Sequence, residues 1–355
     1  MLTWHARESM SKLLPVTRAA YRAQQATIRL SLVAAHLGLR PFLRRRRRPS
    51  ERDLHELRRR LRELLEHDVD NVANGLYSRE LLFSLPVREY LAGLPRLAGE
   101  VARMIGRARR GQVRDLPPDV ELGEYPEYFR RNFHWQSDGY LSRRSAELYD
   151  LGVEFLFLGT ADVMRRQAIA PIARELRNQS SGRRVLDVAC GTGRLLYQLE
   201  RALPWHHFTG VDLSPYYITK ARGLLAGRGV TLATANAEAL PFADASFEVV
   251  TSVFLFHELP LRARQHVLAE MRRVLVDGGL VVLEDAAQLS DSPSLEVFLE
   301  NFGRDMNEPF FLDYLRWDLE RELERAGFAV ESTTPAFLSK VVVARATGAR
   351  ARPAP

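Results

Sequence analysis

The stretch from Val185 to Arg194 constrains the fold more than any other part of the chain. It reads Val-Leu-Asp-Val-Ala-Cys-Gly-Thr-Gly-Arg, so branched apolar residues and one acid run directly into a glycine-rich turn. Short apolar runs of this kind are typical of a strand buried in a parallel sheet. Leu195, Leu196 and Leu199 then recur at helical spacing. The stretch therefore predicts a strand, a tight glycine turn and a helix.

The glycine turn also predicts a ligand at the end of this strand. Gly191 and Gly193 lack a Cβ, so the main chain can bend tightly and approach a bound molecule closely. The free N–H groups at the start of the next helix point toward the same place. A dinucleotide-binding turn would carry a third small residue where this chain has Leu196. Instead, an acid, Asp187, lies inside the strand, four residues before Gly191.

The segments after the turn alternate between strand-like and helix-like patterns. Strands are predicted at 207–214, 230–235, 246–254 and 280–285, with a helix at 262–275, and two last strands at 328–332 and 337–344 are predicted to pair antiparallel. Asp212 lies 19 residues after Gly193. That separation is close to the roughly 20 residues at which a second-strand carboxylate accepts hydrogen bonds from ribose hydroxyls. The pattern predicts an α/β fold with a doubly wound, mostly parallel sheet of seven strands.

Composition limits the class of protein. A chain of 355 residues with 46% hydrophobic content can bury one large core and a smaller unit. The single cysteine, Cys190, excludes an intramolecular disulfide and indicates a reducing compartment; we expect it to be a small buried residue. No apolar run approaches the roughly 18 residues of a spanning helix, and no metal-binding motif is present. We expect a cytoplasmic protein whose contact with membranes, where it occurs, is peripheral.

The basic character of the chain belongs to its N-terminus. The net charge is +7, but residues 1–50 hold eleven basic residues and one acid, with five consecutive arginines at 44–48. A helical pattern runs from Leu13 to Leu43. Three interpretations stay open: a solvated basic tail, an amphipathic segment lying on an anionic membrane, or an arm that binds nucleic acid. A targeting segment is a fourth, weaker alternative.

Residues 51–165 precede the predicted sheet and divide into two parts. Leucines at 3–4 spacing in 51–67 predict an amphipathic helix, and 51–120 as a whole is predicted to be helical. Residues 121–165 concentrate aromatic side chains and are predicted either to pack on the sheet or to form a cap over the ligand. The aromatic and polar residues of this cap segment include Phe133, His134, Trp135, Tyr140 and Tyr149.

The C-terminal part departs from simple alternation. Residues 286–316 carry several aromatic residues and are predicted to form an inserted helical lid, with plain core packing as the alternative. A helix at 317–327 is predicted to end at Gly327. We assign 166–346 to the sheet domain and 347–355 to a tail.

With these elements in order, residues 165–345 resemble the class I S-adenosylmethionine (SAM) dependent methyltransferases. Within that family they look most like the ubiquinone/menaquinone-biosynthesis C-methyltransferases. The resemblance rests on Leu186-Asp187-Val188-Ala189-Cys190-Gly191-Thr192-Gly193, Gly210-Val211-Asp212-Leu213-Ser214, Asn236-Ala237-Glu238-Ala239-Leu240-Pro241-Phe242, and Val274-Leu275 followed by Gly278-Gly279. It implies a Rossmann-like methyltransferase fold, SAM as cofactor and methyl transfer as activity. The first 120 residues match no family that we can name.

The resemblance also implies roles for individual residues. The glycine turn would pass the methionine part of the cofactor, and Asp212 would bind the ribose hydroxyls. Asp187 would support that turn or reach the amino group of the cofactor, directly or through water. In the resembled family the segment before the first strand often closes over the cofactor, which implies lining roles for Phe133, His134, Trp135, Tyr140 and Tyr149. Asn236 stands where many relatives carry Asp beside the adenine, and an amide can still accept that hydrogen bond. The implied cofactor-binding set is Asp187, Ala189, Gly191, Gly193, Asp212, Leu213, Asn236, Ala237 and Phe254.

Candidates for acid–base chemistry follow the fourth strand, in Phe256-His257-Glu258-Leu259-Pro260. The carboxyl end of such a strand is where ligands meet an open parallel sheet. His257 is the first candidate for a general base, and Glu258 and His134 are further candidates.

These features favour an enzyme that methylates a small molecule, with a lipid or quinone-like acceptor in view of the N-terminal charge. An RNA or protein methyltransferase that docks through the basic N-terminus is the alternative. No Asn-Pro-Pro-Tyr type motif follows the fourth strand, which makes nucleic acid a less favoured partner. A non-catalytic module that binds SAM is the third interpretation.

Overall fold

A computed structural model of the protein describes residues 4–39, 47–177, 179 and 182–348. Its centre is a sheet of seven strands. They are β1 (Arg184–Val188), β2 (His207–Asp212), β3 (Thr231–Thr234), β4 (Phe247–Val253), β5 (Leu275–Ala286), β6 (Phe328–Ala336) and β7 (Ser339–Ala346). The strand order is β3-β2-β1-β4-β5-β7-β6.

The sheet confirms the predicted α/β architecture. Strands β1 to β5 are parallel, while β7 is antiparallel to both β5 and β6. The strand order reverses between β1 and β4, since β2 lies on one side of β1 and β4 on the other. Ligands of open α/β sheets bind at such a switch point, beyond the carboxyl ends of the strands.

Burial on both faces explains why the central strands read as continuous apolar runs. Val185 packs into one hydrophobic cluster, while Leu186 and Val188 pack into another. Both clusters contain side chains from the sheet and from the helices that flank it. Successive side chains of a strand point to opposite faces, so the two clusters cover opposite faces of the sheet.

Strand β5 begins earlier than its sequence predicts. We expected it to start at Leu280 after a turn at Gly278 and Gly279. Leu275 already pairs with Phe247, and the regular ladder resumes where Leu280 pairs with Val249. The intervening residues bulge away from β4, with Gly278 at a φ of 73° that suits glycine.

Helices flank the sheet much as the periodicity predicts. They are α5 (Ala161–Gln167), α6 (Ile169–Leu176), α7 (Arg194–Ala202), α8 (Pro215–Leu224), α9 (Leu261–Val274), α10 (Glu296–Asp305), α11 (Phe311–Tyr314) and α12 (Leu319–Arg325). The segment that leads into β1 is divided between two short helices, α5 and α6. The insert predicted at 286–316 contains α10 and α11.

Before the sheet come four helices: α1 (Trp4–Leu39), α2 (Glu51–Ala73), α3 (Val87–Arg110) and α4 (Arg143–Leu156). Helix α2 begins where its leucine pattern predicts, because Ser50 and Asp53 form a capping box at its first turn. Tyr21 of α1 and Val69 of α2 belong to the same hydrophobic cluster as Ile169 and Val343. The N-terminal helices therefore share a core with the sheet.

A buried ion pair joins these N-terminal helices to the sheet domain. The carboxylate of Asp68 accepts hydrogen bonds from the guanidinium of Arg166 and from the hydroxyls of Tyr21 and Tyr77. Tyr21 is fully buried, so a solvated tail is the wrong interpretation for residues 14–33. Most of the arginine run at 44–48 lies outside the described residues.

Among the helices of the described residues, none is both long and apolar enough to span a membrane.

Candidate active site

A cavity of about 100 Å³ lies beyond the carboxyl ends of β1, β2 and β4, between these strand ends and the cap segment. Its walls include many of the residues that the sequence predicts. These are Phe133, Tyr140, Tyr149, Ala189, Gly191, Asp212, Leu213, Asn236, Ala237, Phe254 and Glu258. The structure therefore brings the two predicted groups, cofactor residues and cap residues, to one place.

Several predicted site residues do not line this cavity. They are His134, Trp135, Asp187, Gly193 and His257. Asp187 lies within β1 and pairs with Gly210 and Thr251 of the neighbouring strands. Burial raises the pKa of its carboxyl well above the usual value. Its position is compatible with support of the turn rather than with direct contact from the cavity.

The two glycines of the turn differ in the space that surrounds them. A Cβ on Gly191, whose φ is 54°, would meet no atom within 4 Å and would project into open space. A Cβ on Gly193 would lie 3.0 Å from Leu225 and 3.1 Å from Ala221. Gly191 therefore leaves room beside the cavity, while Gly193 allows the start of α7 to pack closely on α8.

The carboxylate of Asp212 links the glycine turn to the start of α8. One carboxylate oxygen accepts from the backbone N–H of Gly191 at 2.9 Å, and the other accepts from the N–H of Ser214 at 2.8 Å. Burial raises the pKa of Asp212 to about 6, although the two backbone donors oppose this shift. Each oxygen keeps a second lone pair, so the carboxylate can also accept hydrogen bonds from a ligand.

Two residues without glycine's freedom adopt left-handed backbone conformations at the rim. Ala189 follows β1 with a φ of 60°, and Phe254 follows β4 with a φ of 59°. Non-glycine residues in this region cost of order 1–3 kcal/mol and cluster at functional sites. Phe254 also stacks on Phe157 of the cap segment, with ring centroids 6.0 Å apart. The backbone thus turns sharply at both strand ends that border the cavity.

The side-chain oxygen of Asn236 is bonded to the following loop. It accepts a hydrogen bond from the backbone N–H of Glu238 at 2.9 Å. The carboxylate of Glu238 accepts from the hydroxyl of Tyr128 at 2.6 Å. A ligand would therefore meet an amide oxygen with one lone pair already in use.

The three predicted acid–base residues lie in one polar cluster. The Glu258 carboxylate accepts from the Tyr140 hydroxyl at 2.5 Å and lies 3.3 Å from Nε2 of His134. On the other side, Nδ1 of His257 lies 2.6 Å from Asp285, and its Nε2 lies 4.0 Å from Glu258. Of the three, only Glu258 reaches the cavity wall.

Glu308 is the member of this cluster that the sequence did not predict. Its carboxylate is completely buried and lies 3.1 Å from Nδ1 of His134 and 3.7 Å from Nε2 of His257. No regular hydrogen bond to its oxygens exists among the described residues. In the sequence, Glu308 is only an acid within the aromatic insert 286–316. Nothing in that pattern indicates which residues its carboxylate contacts.

The surrounding carboxylates keep both histidines protonated. Burial lowers the pKa of His134, but Glu308 and Glu258 together raise it to about 10. Burial likewise opposes the shift at His257, where Asp285 and Glu308 raise the pKa to about 9. At neutral pH both rings are therefore cations, and a cation does not accept a proton.

The cap segment is tied to the sheet by hydrogen bonds from several strand ends. The Thr192 hydroxyl donates to Asp150 at 2.8 Å, and the Ser214 hydroxyl donates to the carbonyl of Tyr140 at 2.6 Å. The insert is bonded to the cap as well, since the indole of Trp135 donates to the carbonyl of Asp305 at 2.7 Å. The segment thus contributes residues to the cavity wall, and it also packs aromatic rings on the sheet domain.

Cys190 is buried against Gly210, and burial raises the pKa of its thiol well above the usual value. This agrees with a small packing residue rather than a reactive thiol. Across the described residues, no three His, Cys, Asp or Glu side chains are placed to hold a metal ion.

Residues 185–279 match the sequence model of a family described as methyltransferase domain. The match runs from the second residue of β1 to the glycine pair in β5, so it contains the glycine turn, Asp212 and Glu258. These residues form a methyltransferase domain. The cofactor that this domain implies is SAM, as the resemblance of the motifs predicts.

Two curated proteins are similar to part of this chain. The chain is 37% identical over 142 residues to the demethylmenaquinone methyltransferase of Thermus thermophilus, which covers 39% of this chain and 61% of that protein. It is 34% identical over 137 residues to a ubiquinone/menaquinone biosynthesis C-methyltransferase of Desulfotalea psychrophila, which covers 39% and 53%. The chain thus spans less than two thirds of the length of either relative.

Solved structures resemble the methyltransferase domain more distantly. One is a SAM-dependent methyltransferase of Corynebacterium glutamicum, 18% identical, with a TM-score of 0.41 over 58% of this chain and 100% of the other.

The geometry of the site fits SAM. The open space at Gly191 admits a ligand close to the main chain, and Asp212 offers carboxylate oxygens at the end of β2. Apolar wall atoms come from Leu213, Ala237 and Phe254. The enclosed space of about 100 Å³ is smaller than the roughly 300–1,000 Å³ of most ligand pockets.

Proposed function

We propose that the protein is a SAM-dependent methyltransferase that acts on a small-molecule acceptor. The observation that supports this most directly is the cavity itself: Gly191, Asp212 and Glu258, from three different strand ends, line one space within the methyltransferase domain. Methyl transfer from SAM needs three things at such a site: a carboxylate that binds the ribose, a turn without side chains and a potential proton acceptor.

In this proposal Asp212 accepts hydrogen bonds from the two ribose hydroxyls. Gly191 lets the methionine part pass, and Leu213 and Ala237 pack on the adenine. Asp187 and Gly193 do not line the cavity. They act indirectly, because they stabilise the conformation of the glycine turn. Phe254 lies beside the transferred methyl group.

SAM supplies, when bound, a methyl group on a positively charged sulfur. The chain must align the acceptor with that group and exclude water, which can contribute roughly 7–11 kcal/mol through proximity and orientation. The hydrogen bonds between cap, insert and strand ends serve this exclusion of water. They close the cavity from the side opposite to the sheet.

We propose Glu258 as the group that takes the proton where the acceptor must lose one. It lines the cavity and it is held by Tyr140 and His134. His257, the first candidate from the sequence, is cationic at neutral pH and held by Asp285. His257 and His134 are then positioning residues, which keep the Glu258 carboxylate in place and balance the negative charge around it.

The acceptor is proposed to be flat, apolar and quinone-like. The cavity wall is rich in aromatic rings, including Phe133, Tyr140, Tyr149 and Phe254. Such rings favour flat ligands through offset or edge-to-face packing. The names of both curated relatives also refer to quinone biosynthesis.

For residues 1–50 we propose peripheral contact with an anionic membrane. Their net charge of +10 supports this. Part of the charge is used within the protein, since Arg18 pairs with Asp70 and Arg22 pairs with Glu66 of α2. The contact would therefore rely on the remaining basic residues, chiefly the run at 44–48.

Calorimetry with SAM tests the proposed function. We expect Asp212→Ala to weaken SAM binding more than tenfold, because the ribose loses its acceptor, while Asp277→Ala in the exposed bulge of β5 should bind as the unchanged protein does. Equal binding by both variants would contradict the site, and absence of SAM binding by the unchanged protein would contradict the function. A screen of metabolite extracts with labelled SAM then identifies the acceptor.

A further inference from the structure

Helix α3 has an apolar face that no part of the described chain covers. Its inner face packs on α4, where a Cβ on Gly93 would lie 2.8 Å from Leu151. On its outer face Val87, Leu91 and Leu94 follow each other at helical spacing and are 50%, 61% and 42% exposed. Half-exposed large apolar side chains in a row mark an interaction surface.

A groove rich in arginine continues from this apolar face. It lies between α3 and α4, has a volume of about 280 Å³ and includes Arg96, Arg103 and Arg144. Pro95, the residue after Leu94, belongs to the same groove. The apolar row and the groove therefore form one continuous surface along α3.

The arginines around the groove outnumber the acids that hold them. Glu100 pairs with both Arg103 and Arg144. On the opposite side Glu147 pairs with Arg96 at 3.1 Å and with Arg143 at 3.0 Å. Four guanidinium groups thus share two carboxylates, so the surface carries a net positive charge and can accept anionic groups.

We propose that α3 is a docking surface for an anionic lipid bilayer. Phosphate groups of the lipids bind the arginines of the groove, while Leu91 and Leu94 enter the boundary between headgroups and acyl chains. A basic helix with one exposed apolar face lies in the plane of such an interface. Each basic residue near an anionic surface contributes about 1 kcal/mol, in addition to the burial of the leucines.

The charges of the groove argue for a bilayer rather than for a second copy of this chain. In a two-fold dimer the same patch meets itself, so the arginine grooves would face or adjoin each other. The apolar row is also short, whereas a stable interface buries about 800 Å² on each partner. Anionic headgroups are opposite in charge to the arginines, so a bilayer avoids the repulsion between two grooves. It also does not require a long apolar row.

This inference stands apart from the proposed function and from residues 1–50. It concerns a different surface from the cavity, and its test needs neither SAM nor an acceptor. The two proposals can therefore fail separately.

Cosedimentation of the full chain with vesicles tests the docking surface. The vesicles consist of phosphatidylcholine, with or without phosphatidylserine. We expect binding to the anionic vesicles, and we expect the double variant Leu91→Glu/Leu94→Glu to weaken it at least about tenfold, since two acids replace the inserted side chains. Leu261→Glu is the matched control, because Leu261 is 45% exposed on the first turn of another helix, α9.

A second pair of variants tests the groove. Arg96→Ser/Arg103→Ser should reduce the preference for phosphatidylserine, while an unchanged circular dichroism spectrum shows that the variant is folded. Vesicle binding that is the same with and without the α3 substitutions would overturn the proposal. It would also be overturned if light scattering showed a dimer that Leu91→Glu/Leu94→Glu separates.

Discussion

Single residues decide how the polar cluster of the site is charged. Glu308 comes from the insert, His134 from the cap and His257 from the segment after β4. The Glu308 carboxylate lies 3.1 Å from Nδ1 of His134 and 3.7 Å from Nε2 of His257. A buried carboxylate between two imidazoles favours the cationic form of both. The insert therefore controls the protonation of residues that belong to other parts of the chain.

Glu308→Gln should lower the pKa of both histidines, because it removes a negative charge that stabilises the two cations. NMR titration of the histidine rings measures this. Glu300→Gln is the control, since Glu300 lies in the same insert but pairs with Arg304 and Arg316. Unchanged histidine titration in Glu308→Gln would contradict the assigned contacts.

Asp212 should make SAM binding dependent on pH. Its pKa is raised to about 6, and only the ionised carboxylate accepts hydrogen bonds from both ribose hydroxyls. Binding should therefore be strongest above pH 6 and weaken by up to about tenfold for each pH unit below it. Calorimetry from pH 5 to 8 measures the slope; Asp212→Asn should bind weakly and lose this slope, and a slope that persists would assign the titration to another group.

At the scale of elements, the glycine turn combines packing with binding. Gly193 caps α7 with a φ of 82° and lies against Leu225 and Ala221 at α8. Gly223, in contrast, lies within α8 with open space around it. The same substitution at the two glycines should therefore have opposite effects on stability.

Gly193→Ala should lower the free energy of unfolding by about 1–3 kcal/mol, because alanine is strained at this φ and its Cβ would contact α8. Gly223→Ala should raise it by up to about 1 kcal/mol, since alanine favours helix. Urea denaturation measures both. If Gly193→Ala had the same free energy of unfolding as the unchanged protein, α7 and α8 could move apart without loss of stability.

The whole molecule depends on how the N-terminal helices join the sheet. Asp68 and Asp70 lie two residues apart on α2 but in different surroundings. Asp68 is fully buried against Arg166 of α5, while Asp70 pairs with Arg18 at the surface. An uncompensated buried charge is costly, whereas exposed ion pairs contribute little.

Asp68→Asn should therefore lower the free energy of unfolding by about 3–5 kcal/mol, because Arg166 would lose its counter-charge in the interior. Asp70→Asn should change it by less than about 1 kcal/mol. Circular dichroism during denaturation measures both and should show one transition, since α1, α2 and the sheet share a core. Separate transitions would show that the N-terminal helices fold on their own.

The sequence alone determined the sheet, the glycine turn and many of the residues that the structure places around the cavity. These depend on local properties: apolar runs for buried strands, helical spacing, and glycine where the chain turns. Because the ends of parallel strands meet at one edge, Gly191, Asp212 and Glu258 could be placed together before any coordinates were known.

Only the tertiary structure decided which side chains surround Glu258. His134 lies 124 residues before it in the chain, and Glu308 lies in an insert whose aromatic residues predict burial but no partner. Likewise, nothing local predicts that Ala189 and Phe254 turn left-handed, or that Asp68 finds Arg166. Contacts between distant segments depend on how complete elements pack, which no pattern within a single element encodes.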